Sequence, residues 1–255
     1  MAARLELIAL EGFPLVEPGD DLGQLIIQSL QGNGLQLQPG DVLVVAQKIV
    51  SKAEGRYVRL ADVVAGPEAL ALAAEADKDP RQVELILAES REVIRVRPGV
   101  IIVEHRNGYV HANAGIDRSN IANSLDDPRV LLLPLDPDAS ARALRQTLAA
   151  QTGVELQIII NDSAGRAWRN GTVGIAIGTA GLEPVRNQIG ELDMFGNVMQ
   201  VTEPAVADEL AAAASLLMGQ TTQALPVVLV RGAGLSPSRE GSAGLIRDRS
   251  IDLFR

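Results

Sequence analysis

The chain has 255 residues, 47% hydrophobic and only 2% aromatic, with a formal net charge of -9 and no cysteine. Length and apolar content suit one large domain or two small ones, with a core of Leu, Val, Ile and Ala. Few aromatics and an acidic balance argue against nucleic-acid or anionic-membrane partners, and the missing thiol excludes disulfides, thiolate zinc sites and thioester chemistry.

The N-terminal apolar run is short and broken by Glu6. It falls below a signal-peptide core and below the roughly 20 residues of a membrane span, so a cytoplasmic chain is expected. Leu5 to Leu10 predicts a strand, and Asp21 to Leu30 a helix after the turn Pro18-Gly19-Asp20. Pro39-Gly40-Asp41 introduces a strongly apolar strand, Val42 to Ala46. Helices follow from Pro67 to about Asp77 and from Pro80 to about Ser90, the second with proline at its first turn. Glu92 to Val96, Val100 to Glu104 and Tyr109 to Ala114 read as strands, joined by Pro98-Gly99 and by the hairpin dipeptide Asn107-Gly108. Asp138 to Gln151 is a helix closed by Gly153, and Leu156 to Ile160 a buried strand. Thr172 to Gly181 reads as a glycine-rich strand pair. Thr202 to Met218 reads as an alanine-rich helix stopped by Gly219, and Val227 to Val230 as the last strand. The mixture predicts an α+β fold with substantial antiparallel sheet, in which residues 80 to 130 form a smaller lobe of one 255-residue domain.

Three times an apolar strand runs into a polar cluster: DVLVVAQKIVSKAEGR at 41–56, YVHANAGIDRSN at 109–120 and LQIIINDSAGRAWRNGTVGIAIG at 156–178. Strand ends hold polar groups rigidly, so three such transitions suggest one convergent site. A carboxylate beside a core strand needs a cation or hydrogen bonds to offset its desolvation. Asp117 and Asp162 fit a magnesium or manganese ion, which takes one or two carboxylates together with substrate phosphates, and the Ser163 hydroxyl is a weaker oxygen ligand. Both aspartates are also ordinary turn formers, and spacing alone favours that plainer reading. Lys52 suits a phosphate-binding point charge, although a solvated surface lysine is more usual. Arg166 and Arg169 suit an anionic substrate or surface ion pairs. Gly171, Gly174 and Gly178 suit close approach of a ligand or close packing of elements. No phosphate loop of the GxxxxGK[ST] type and no GxGxxG after a strand is present. The two histidines, His105 and His111, are too few for a zinc site, and His111 in its strand reads as partly buried and hydrogen-bonded.

Taken together, VAQKIVSKAEGR, NAGIDRSN, NDSAGRAWRNGTVGIAIG and DMFGNVMQVTEPAVADELAAAASLLMGQ resemble the coenzyme F420-0:L-glutamate ligase family. The match runs in order from LEGFPLVEPGDDL to PVVLVRG at 226–232, nearly the whole chain. The resemblance implies a two-lobed fold, an intertwined homodimer, and a reaction that uses GTP to join L-glutamate to coenzyme F420-0 through an acyl phosphate, with γ-linked extension. It implies magnesium or manganese, and allows a monovalent cation such as potassium. Carried over by position, Asp117 and Asp162 resemble metal ligands, while Ser163 and Gln220 match positions at a second metal. Gln220 is a neutral amide, a weaker ligand than a carboxylate, which leaves one metal or two open. Nucleotide contacts are implied for Phe13, Pro14, Leu15 and Val16, for Gln47, Lys48, Lys52 and Asn120, and for Met218, Gly219, Gln220, Thr221, Thr222, Gln223, Ala224 and Leu225. Asp117, Asp162 and Lys52 are the expected catalytic residues, with Arg166, Arg169 and Arg186 offered to the substrate. Some members carry a further nitroreductase-like domain. With the chain ending at Arg255, none is expected here. A related ligase for another carboxylate, or a binding protein that keeps the fold, are the alternatives.

Overall fold

A computed structural model describes residues 4–121, 123–124 and 126–253. In chain order the first half comprises β1 (Glu6–Ala9), α1 (Leu22–Gly32), β2 (Val42–Ala46), α2 (Gln47–Ala53), β3 (Tyr57–Arg59), α3 (Pro67–Ala76), α4 (Pro80–Ala88), β4 (Ser90–Arg97), β5 (Val100–His105) and β6 (Val110–Ala112). The second half comprises β7 (Arg129–Leu131), α5 (Pro137–Thr152), β8 (Gln157–Arg166), β9 (Arg169–Ala180), α6 (Val206–Met218) and β10 (Val227–Arg231). The architecture is mixed α+β, as the sequence predicts. The main sheet has the order β1-β10-β2-β8-β9, with β2 and β8 parallel and the other pairs antiparallel. Two smaller antiparallel sheets, β3-β7 and β4-β5-β6, stand apart from it.

Local chemistry sets most boundaries. The Asp21 carboxylate accepts the Gln24 N–H at 3.1 Å and starts α1. Asp79 and Asp136 cap α4 and α5, each followed by a first-turn proline, and Gly153 ends α5 at φ 71°. The run Val42-Leu43-Val44-Val45 is apolar throughout because both of its faces are covered. Leu43 and Val45 join the core under α1 and α5, with Leu144 and Leu148. Val42 and Val44 face α6, with Leu210, Ala211 and Ala214. A separate core lies where α3 and α4 cover β5, formed by Ala69, Ala73, Val83, Ile86, Ile101 and Val103, and these two helices with the sheet β4-β5-β6 make up the second lobe.

Several expectations are corrected. Strand β6 stops at Ala112 instead of Ala114, because Asn113, Ala114 and Gly115 turn the chain with φ of 52°, 54° and 67°. Strand β8 does not stop at Ile160. Its polar half continues to Arg166 against β9, so Asp162 lies within the strand. The glycine-rich stretch is one strand, β9, rather than a pair; its partner is β8. Helix α6 begins at Val206 rather than Thr202, since the Thr202 and Pro204 carbonyls accept the N–H groups of Gln188 and Arg186 at 3.0 and 2.9 Å. Residues 47–53, read from the sequence only as a polar cluster after a strand, form α2. Of the glycines, Gly174 and Gly178 serve packing. A Cβ on Gly178 would lie 2.5 Å from the Pro137 carbonyl oxygen, and one on Gly174 would strike Ser215 and the Ala211 carbonyl of α6. Gly171 has open space around it.

Candidate active site

Parallel pairing of β2 with β8 sets the carboxyl end of β2, at Ala46, beside Asn161 in the middle of β8, at the end of the sheet where antiparallel β10 begins. Two backbone bonds close that edge, from Leu10 N–H to the Val227 carbonyl at 2.9 Å and from Ala46 N–H to the Pro226 carbonyl at 2.8 Å. The loop after β1, the start of α2, the segment 117–121, the middle of β8 and the loop after α6 therefore surround one cleft of about 710 Å³.

Each wall follows from its sequence. Phe13 and Val16 anchor the first loop in the core and leave Pro14 and Leu15 on the rim. Gln47, Lys48 and Lys52 all line the cleft from α2. The three left-handed residues 113–115 deliver Asp117, whose backbone then bridges to Leu131 through two 2.9 Å hydrogen bonds. A side chain on Gly115 would collide with Leu133, 2.6 Å from its Cδ1, so glycine is required at that turn. On β8 the register against β9 shifts between Ile160 and Asn161, a bulge that re-aims the following side chains. Asn161 points toward α6 and donates to Ser215 Oγ at 3.2 Å, while Asp162 and Ser163 line the cleft.

Polar contacts knit the walls together. Gln47 is buried. Its Oε1 accepts from Ser51 Oγ at 2.9 Å, and its Nε2 donates to Asp117 Oδ2 at 2.9 Å. Lys48 Nζ lies 3.4 Å from the same oxygen and donates to the Ser119 carbonyl at 3.1 Å. Gln220 Nε2 donates to Ser163 Oγ at 2.8 Å, tying the loop after α6 to β8. Asn120 Nδ2 donates to the Thr221 carbonyl at 3.1 Å, so the loops carrying Asp117 and Gln220 also touch.

Both aspartates are held above the usual carboxylate range. Burial raises Asp117, against the opposing pull of Lys48 and Gln47. Burial and then the neighbouring charge of Asp117 push Asp162 up to about 7. His111 Nε2 lies 3.5 Å from Asp162 Oδ2, but burial and then His105 lower the imidazole to about 4, so this contact is not an ion pair. Burial lowers Lys52, and Lys48 adds to the effect. The pocket thus holds two carboxylates in mutual repulsion and two lysines that repel each other, with Lys48 beside Asp117. A bound cation would relieve the first pair and bound anions the second. Among the described residues no group of three or more His, Asp or Glu is placed to hold a metal alone. Two carboxylates with a hydroxyl and an amide nearby suit a hard divalent ion that completes its shell with phosphate oxygens.

Across the chain, residues 12–232 match the profile of the F420-0:gamma-glutamyl ligase family. The chain belongs to that family. It is similar to the coenzyme F420:L-glutamate ligase of Methanothermobacter thermautotrophicus, with 48% identity over 98% of this chain and 99% of the relative. Ligases of the same name from Methanopyrus kandleri and Methanocaldococcus jannaschii are 42% and 37% identical, each match covering at least 97% of either chain.

Measured against expectation, this family member brings Phe13 to Val16, Gln47, Lys48, Lys52, Asn120, Asp117, Asp162, Ser163 and the loop Met218 to Thr222, Ala224 and Leu225 to one cavity. Gln223 instead braces its loop, accepting the Thr221 N–H at 2.9 Å. Arg166 and Arg169 pair at the far end of the β8–β9 hairpin, and Arg186 sits at the base of the exposed arm 186–204; none of the three lines the cleft. Sequence reasoning passed over Glu17, Tyr57, Ser119 and Asn161, all on the cavity wall. Ser119 and Asn161 lie inside the family motifs beside the aspartates and Glu17 inside LEGFPLVEPGDDL, whereas nothing in the sequence marks Tyr57.

Proposed function

We propose that this chain joins the amino group of L-glutamate to the terminal carboxylate of coenzyme F420-0, with GTP as co-substrate, and extends the product by γ-linked glutamate. The observation that carries this reading is the meeting of Asp117 and Asp162, remote in sequence, in a cleft walled by Lys48 and Lys52. The names of the family and its relatives give the substrates; the residue types in the cleft support nucleotide and metal.

A carboxylate resists attack by an amine, because its charge repels the nucleophile and oxide is a poor leaving group. In the proposed sequence a carboxylate oxygen of F420-0 attacks the γ-phosphorus of GTP, GDP departs, and an acyl phosphate forms. The glutamate nitrogen then attacks the acyl carbon, the C–O bond to phosphate breaks, and the amine loses a proton. Phosphoryl transfer depends mostly on positioning and charge neutralisation. Lys52 supplies a point charge to the phosphates, and Lys48 both steadies Asp117 and extends the positive wall. Asp117 and Asp162, with Ser163 and Gln220 beside them, would hold magnesium or manganese, which supplies neutralisation of the gathered phosphate charge. Asn120 and the loop 218–225 border the nucleotide.

The test is incubation with GTP, manganese, glutamate and F420-0, followed by mass spectrometry of the product. Gain of a glutamyl group with release of GDP and phosphate supports the proposal. GTP turnover with a different carboxylate only would reassign the acceptor, and failure to bind nucleotide or metal would leave a binding protein of the same fold. Lys52→Ala is expected to raise the KM for GTP by about 10-fold to 100-fold, the loss of one charge-assisted contact. An unchanged KM would remove Lys52 from the phosphate site.

We also propose that the working form is a homodimer. The arm 186–204 carries Met194 and Phe195 at its tip, 91% and 83% exposed, with Val201 at 84%. Apolar groups gathered in this way mark an association surface. Sedimentation should give twice the chain mass, and Phe195→Asp should shift the equilibrium toward monomer. Sedimentation of the wild type as a monomer at micromolar concentration would refute the dimer. No helix among the described residues is long and apolar enough to cross a membrane.

A further inference from the structure

His111 is central on the short strand β6 and lies against β8, where the second lobe meets the main sheet. Its side chain is only 4% exposed, and Nε2 is buried without a hydrogen-bond partner. A buried imidazole N–H left unpaired costs about 1–3 kcal/mol. The atom is nevertheless aimed at one acceptor, Asp162 Oδ2, 3.5 Å away. Slight closure would make a hydrogen bond.

The ring has little freedom to turn elsewhere. Tyr109 meets it edge-on with centroids 5.5 Å apart, and His105 stacks on the other side of Tyr109 at 4.9 Å. His105 Nδ1 accepts the Asn107 N–H at 3.1 Å, which leaves its Nε2 as the protonated nitrogen facing Glu89 Oε2 at 3.7 Å. Glu89 is fixed in turn by Arg56 at 3.0 Å. A packed column therefore runs from the buried Glu89 to Asp162, with His111 at its end.

We infer that His111 is a positioning residue, donating its Nε2–H to one oxygen of Asp162 and leaving the other directed into the cleft. The inference rests on the metal-site reading of Asp162 proposed above. It goes further in placing a neutral donor from the second lobe behind the carboxylate. Partners of this kind orient a ligand, and their loss typically weakens metal affinity by about 10-fold to 100-fold.

The experiment measures Mn²⁺ binding by electron paramagnetic resonance, without turnover, for wild type, Asp162→Asn, His111→Leu and His111→Gln. Gln keeps an N–H near the imidazole position; Leu keeps bulk but cannot donate. Asp162→Asn should abolish binding, and His111→Leu should weaken it by about 10-fold to 100-fold. His111→Gln should restore affinity to within about 3-fold of wild type, as a retained donor predicts. Wild type that binds no Mn²⁺ would refute the metal site and this inference together. Loss in Asp162→Asn with wild-type affinity in His111→Leu would leave the metal site standing and overturn the role of His111. Equal weakening in Leu and Gln would also overturn it, since bulk rather than donation would then matter. Should His111→Leu fail to fold, wild-type protein decides by ¹⁵N resonance, because the chain has two histidines. Mg²⁺ should shift the His111 Nε2 signal and leave His105 in place, and no shift overturns the inference.

Discussion

Asp162→Asn is expected to lower turnover by about 1,000-fold or more, equivalent to losing several kcal/mol of charge stabilisation, while raising the stability of the metal-free protein at pH 8. The two effects have one cause. Burial and then the neighbouring charge of Asp117 push the Asp162 carboxyl up to about 7, outweighing the opposing pull of Lys48. At pH 8 it must be ionised there, and the neutral amide removes that burden. The Tm without metal should therefore exceed that of wild type, as for other sites that trade stability for function. Asp117→Asn should lower turnover equally but give no comparable gain in Tm. Its carboxylate already has Gln47 Nε2 at 2.9 Å and Lys48 Nζ at 3.4 Å, and the change would leave Lys48 without a counter-charge. Steady-state assays and thermal melts in a chelator check both variants. Wild-type rates in Asp162→Asn would sink the metal assignment.

The contribution of Asp162 to the stability of the metal-free protein should fall as pH rises from about 4 to about 7, and divalent metal should offset that loss only at the upper end. His111 acts in the opposite sense, because burial keeps it neutral down to about 4 while the unfolded chain protonates below about 6.5, so the Asp162 effect is read as the difference between wild type and Asp162→Asn. Asp117 and Asp162 are both raised by burial above the usual carboxyl value of about 3.9. Between that value and about 7, folded Asp162 holds a proton that the unfolded chain has released, so folding takes up protons. This contribution must then fall with rising pH across the window and level off above it, where both states are ionised. The drop is on the order of 4 kcal/mol, read as the gain in Tm of Asp162→Asn over wild type between pH 4 and pH 8, roughly 10 °C for a chain of this length. A divalent ion binds the ionised carboxylates, so Mg²⁺ should raise Tm strongly at pH 8 and little at pH 5.5, with proton release on binding. Melts at the two pH values with Mg²⁺ or chelator decide the matter. An equal gain at both would show that the ion binds elsewhere.

The exposed β8–β9 tip and the arm 186–204 lie away from the cleft described here, and Arg166, Arg169 and Arg186 go with them.

What the amino-acid order determined by itself was local: helix starts at Asp21, Asp79 and Asp136, the turn at Asn107-Gly108, and the two-sided burial of Val42 to Val45. Caps, turns and apolar runs act within a few residues, so they can be read without knowing the fold. Family motifs also marked Asp117, Asp162, Lys52, Ser163 and Gln220. Tertiary structure decided the rest. Parallel pairing of β2 with β8 made the cleft, the left-handed turn at 113–115 delivered Asp117, and the bulge before Asp162 aimed that side chain. The contact of β6 with β8 set His111 behind Asp162. Such placements depend on strand register and lobe packing between residues far apart in sequence, where small changes of pairing move a side chain to the other face.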